Sequence, residues 1–60
     1  MQGRVYREAM RFEHAFMRYQ LEFSHWGRVP KSREVILEEA RRSPLSAVDL
    51  LWRKIARLEP

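Results

Sequence analysis

The chain has 60 residues, 45% hydrophobic and 12% aromatic, with no cysteine and a formal net charge of +4. That composition excludes a disordered chain, a disulfide scaffold and a thiolate metal site, and the length allows one domain at most. A chain this short buries only about 60% of the surface its unfolded form exposes, so it needs very good helix packing or a partner subunit.

Residues 4–26 read as one long helix, roughly 33 Å over its length at 1.5 Å per residue. Neither Pro nor Gly interrupts it. Val5, Ala9, Phe12, Phe16, Tyr19, Phe23 and Trp26 recur at alternating steps of four and three, and five of these seven are aromatic. The spacing is that of a heptad seam, but the rings are wide for close two-stranded packing. The seam is therefore expected to be the central helix of a bundle, with Met10 and Met17 widening it on one side and Tyr6 on the other. Arg4, Arg7, Arg11, His14, Arg18 and His25 form a basic line roughly opposite. Gly27 is placed to end the helix in the left-handed conformation, and Pro30 follows.

Ser32 caps a second helix over residues 33–42, with Glu34 favourable in its first turn. Glu38 and Arg42 are spaced as an i,i+4 ion pair. The apolar stripe is narrow, comprising Ile36, Leu37 and Ala40, and Val35 falls off it.

The third helix has two competing starts. Ser43 as cap puts Pro44 at the first helical position, whereas Ser46 as cap puts Asp49 at the capping-box position and sets Leu45 against Leu50 as a staple. The second start gives a helix over residues 46–58. Its apolar residues span nearly half the circumference, which suits a helix with two neighbours and places Trp52 in the core. The fold class is thus all-α, one small domain of three helices, and a helical-bundle homodimer is the expected assembly.

No residue pattern points to catalysis. The only glycines are Gly3 and Gly27, so there is no glycine-rich phosphate loop. His14 and His25 lie about 16 Å apart on one helix and cannot share a metal. Glu22 and His25 have the i,i+3 spacing of di-metal bundles, but the motif occurs once and lies off the aromatic line. The expected chain is non-enzymatic, without cofactor, metal or small-molecule substrate. It shows no signal-peptide core and no membrane-spanning run, so the expected location is cytoplasmic.

Two interaction classes remain. The first is a protein-interaction module, regulator or inhibitor that pairs with itself and docks on a larger protein through the aromatic helix face. Its candidate residues are Tyr6, Phe12, Phe16, Arg18, Tyr19, Phe23 and Trp26, with Tyr6, Arg18, Tyr19 and Trp26 as exposed anchors. The second is a DNA-binding regulator in which the second and third helices form a helix-turn-helix-like unit. Its phosphate-contacting candidates are Arg28, Lys31, Arg33, Arg53, Lys54 and Arg57. Asp49, early in the third helix, opposes that reading by repelling phosphate. A structural subunit of a larger assembly is a further alternative.

Overall fold

A computed structural model describes residues 2–58 as three helices, α1 (Gln2–His25), α2 (Arg33–Arg41) and α3 (Ala47–Ala56). The all-α class and three-helix order agree with the sequence reading, and the helix limits differ from it by one or two residues.

Each helix end has a local chemical cause. Gly27 adopts φ 74°, and α1 closes there through two backbone hydrogen bonds. The Arg28 N–H donates to the Phe23 carbonyl at 2.7 Å, and the Gly27 N–H donates to the Ser24 carbonyl at 3.0 Å. This is the paired pattern of a Schellman terminus, which satisfies carbonyls that the helix leaves open. Ser32 caps α2 by accepting from the Val35 N–H, and Ser46 caps α3 by accepting from the Asp49 N–H. The competition between the two starts of α3 is thus resolved in favour of Ser46. Ser43 instead accepts from the Leu45 N–H at 3.0 Å and shapes the turn.

The core is small. Ala15, Phe16, Tyr19, Ile36 and Leu51 are fully or almost fully buried, and Phe12, Phe23, Val48 and Ile55 pack around them. The rings of Phe12, Phe16, Tyr19 and Phe23 touch in sequence, with centroid separations of 5.9, 5.8 and 4.3 Å. Ala15 of α1 and Leu51 of α3 are both fully buried in this cluster. Each buried ring removes about 150–250 Å² from water, worth roughly 4–6 kcal/mol of gross transfer free energy.

Helix lengths determine what this core leaves uncovered. At 1.5 Å per residue α1 spans about 36 Å, whereas α2 and α3 span only about 14–15 Å each. The molecule is correspondingly long, 41 × 22 × 19 Å. Residues Arg4 to Arg11 are all exposed.

Three expectations are corrected here. Tyr19 is not an exposed anchor: it is 1% exposed and belongs to the core, as does Phe16. Trp52 is not core: it lies at the edge of α3, 39% exposed. Met10, Met17 and Tyr6 do not widen the aromatic seam on its two sides, because they stand together on a different face of α1.

Candidate interaction surfaces

The aromatic seam runs further than its cover. Its central residues are buried, but at the N-terminal end Val5 and Ala9 are exposed and Phe12 is half-buried. Leu37 of α2 and Val48 of α3 border the same opening. Together these apolar side chains form the floor of an open groove of about 610 Å³, and Glu8, Arg11 and Asp49 stand on its rim. At the other end of the seam Trp26 is half-exposed, with its ring edge-on to His25 at 5.7 Å.

A second apolar surface lies on the outer face of α1. Tyr6, Met10, Met17 and Leu21 are 65%, 54%, 56% and 57% exposed. At 100° per residue they fall within a 60° sector, about 150° around the helix from the buried seam. α2 reaches α1 on one flank of this stripe, where Arg33 meets Glu13, and α3 reaches it on the other, where Trp52 stands 6.2 Å from His14. The stripe lies between those flanks, and Met10 at its edge also borders a cleft with Val48, Asp49 and Trp52 of α3. The sequence reading did not group these four residues; their signal was the spacing of four, seven and four along the helix.

Of the seven protein-interface candidates, Phe16 and Tyr19 are inside the chain's own core, and Phe12 and Phe23 are half-buried against it. Tyr6, Arg18 and Trp26 remain on the surface. Arg18 is paired along its helix, with Nη2 donating to Glu22 Oε2 at 3.1 Å. The Glu22 and His25 pair is thus divided between an arginine and a tryptophan.

The six candidates for nucleic-acid contact do not form one patch of free charge. Arg33 grips Glu13 with two parallel hydrogen bonds, at 2.7 and 3.1 Å, and its guanidinium lies 4.7 Å from the Phe16 ring centroid. The hydrogen bond from Arg33 holds the Glu13 carboxyl below the usual carboxylate range, and that from Glu13 pushes the guanidinium up. Lys31 Nζ donates to Glu39 Oε2 at 3.0 Å. Lys54 Nζ forms an ion pair with Glu39 Oε1 at 3.1 Å. Glu39 therefore ties the connector, α2 and α3 together, and Lys31 followed by Lys54 hold its carboxyl below the ordinary value. Of these six, Arg28, Arg53 and Arg57 are exposed and have no acidic partner among the described residues.

Among the described residues no group of three or more His, Asp or Glu side chains is placed to hold a metal ion, and no helix is long and apolar enough to cross a membrane. No family model, curated protein or solved structure matches the chain.

Proposed function

We propose that this protein is a non-enzymatic interaction module that docks on a larger protein through the uncovered N-terminal end of its aromatic seam. One observation carries the reading: Val5, Ala9 and Phe12 continue the buried seam, and Leu37 of α2 and Val48 of α3 flank them without closing over them, which leaves the groove open. An amphipathic helix on the partner fits such a groove, placing its apolar anchors on the floor and its polar edge against Glu8, Arg11 and Asp49. Arg11 on the groove's rim is of a residue type that carries binding energy at interfaces, and Phe12 adds an aromatic ring to the floor.

The test is a comparison of baits in lysate of the native host. Wild-type protein retains a specific partner; Val5→Asp with Leu37→Asp loses it, and both positions are exposed enough to leave the core intact. Retention that is indifferent to those changes would reject the groove as the docking element.

The alternative, a DNA-binding regulator using α3, draws on exposed Arg53 and Arg57. It loses support from Lys31, Arg33 and Lys54, whose charges face carboxylates of the same chain. A salt titration of duplex binding separates the two, because phosphate contacts weaken steeply with salt. Replacing Arg53, Lys54 and Arg57 together by Ala abolishes binding only in the DNA case.

A further inference from the structure

The outer stripe of α1 has a property that the groove does not share. Its residues are arranged symmetrically about the point between Glu13 and His14. Tyr6 and Leu21 are equidistant from that point, and so are Met10 and Met17. Gly3 and Ser24 fall on the same face at the two ends, again equidistant. An antiparallel copy of α1 laid on this face would set Tyr6 against Leu21, Met10 against Met17 and Gly3 against Ser24, each pair occurring twice. A parallel copy would set like against like and would stack Tyr6 on Tyr6.

The exposed area matches what such a pairing needs. The chain exposes 4994 Å². A compact monomer of 7.3 kDa is expected to expose only about 4,200 Å². The excess is about 800 Å², which is the area each partner gives to an interface of standard size. The radius of gyration, 11.9 Å, likewise exceeds the ~10.4 Å expected for a compact chain of this length. The N-terminal turns of α1 also lack other support. They contain no acidic residue in the first turn, and Arg4 and Arg7 oppose the helix dipole there.

We propose that this protein is a two-fold symmetric dimer in which the outer faces of two α1 helices pack antiparallel, with the symmetry axis passing between Glu13 and His14. The partner is a second copy of this chain, and the contact residues are Tyr6, Met10, Met17 and Leu21. α2 and α3 of each copy lie behind their own α1, clear of the partner helix. The dimer uses a different face from the docking groove, so the two readings succeed or fail separately. A dimer of this form carries two grooves and presents them to one target or bridges two.

The absence of cysteine lets single spin labels be placed without background. Sedimentation equilibrium is expected to show a dimer at micromolar concentration. Met10→Glu with Met17→Glu is expected to give a monomer of unchanged helix content, since both positions are exposed in the single chain. Met10→Glu with Met17→Lys restores the dimer, because in the antiparallel register each new glutamate meets a new lysine. Labels at Ser24→Cys of both copies are expected about 33 Å apart, whereas a Gly3→Cys label and a Ser24→Cys label on opposite copies approach to about 10 Å. Wild-type protein that stays monomeric at 100-fold higher concentration overturns the proposal and leaves the groove untouched. Dimerisation that survives the double glutamate overturns the face, and a short Ser24–Ser24 distance overturns the antiparallel register.

Discussion

The hydroxyl of Tyr19 accepts a 2.8 Å hydrogen bond from the backbone N–H of Lys31, twelve residues away. The ring is buried in the core while its oxygen reaches the connector that leads into α2. A long apolar side chain with one polar end thus joins the middle of α1 to the start of the next helix. Tyr19→Phe keeps the ring packing and leaves a part-buried N–H without its acceptor. The expected cost is about 1 kcal/mol, read as a fall of roughly 4–8 °C in the thermal midpoint. An unchanged midpoint would show that water replaces the hydroxyl.

Gly27 is the one described residue with positive φ. A Cβ there meets no neighbouring atom, so any penalty for substitution comes from backbone conformation and not from crowding. Gly27→Ala is expected to destabilise by about 1–2 kcal/mol. Gly3→Ala is expected to stabilise the isolated chain, by at most about 0.5–1 kcal/mol, because Gly3 lies in the first turn of α1 with open space around it. Chemical denaturation of the two variants, moving in opposite directions, checks the assignment.

Removing a ring tests which aromatic residues form the core. Phe16→Ala is expected to cost about 3–5 kcal/mol, enough to unfold a chain of this size. Trp52→Ala, at a half-open edge, is expected to cost far less and to leave a cooperative transition. If both variants unfold, Trp52 is buried in solution by something beyond the single chain.

The charge network sets a pH dependence. In the folded chain Lys31 and Lys54 favour the ionised form of Glu39 and hold its carboxyl below the ordinary value. A carboxylate with a depressed folded value contributes stability that is fully present above its unfolded value. That contribution is lost as pH falls through the folded value. Stability is therefore expected to decline below about pH 4.5, and Glu39→Gln is expected to shallow that decline while costing up to about 1 kcal/mol at neutral pH. Glu13, held down by Arg33, adds to the same acid limb. Denaturation midpoints for the wild type and Glu39→Gln between pH 3 and 7 provide the measurement. Parallel curves would remove Glu39 from the network.

Much of the fold was legible because its signals are local. The 4-3 recurrence from Val5 to Trp26 marks the helix and its inward face. Ser32, Ser46 and Gly27 mark helix ends through interactions that span three to five residues. Caps and periodicity of this kind depend on neighbours in sequence, so they can be read without knowing where distant elements pack. Glu38 and Arg42 are a further case: the i,i+4 spacing anticipates the ion pair, which forms at 3.4 Å.

The tertiary structure decided how the apolar surface is divided. Whether Tyr19 is an anchor or core depends on where α2 and α3 lie, and its burial follows from Ile36 and Leu51 closing over the middle of α1. Trp52 and Leu51 are adjacent in sequence, yet one is exposed and the other buried, because α3 turns the face carrying Val48, Leu51 and Ile55 toward the core. The fate of the arginines was also a matter of packing. Arg33 was a candidate for phosphate until the fold placed Glu13 and the Phe16 ring beside it. The residues themselves determine that this chain is helical, carries more ring surface than one short helix can cover, and ends its helices where it does, since those properties rest on backbone chemistry and spacing. Which rings are covered, which charges are neutralised and which stripe faces outward was decided only by the meeting of one long helix with two short ones, because burial is a property of pairs of surfaces and not of a segment alone.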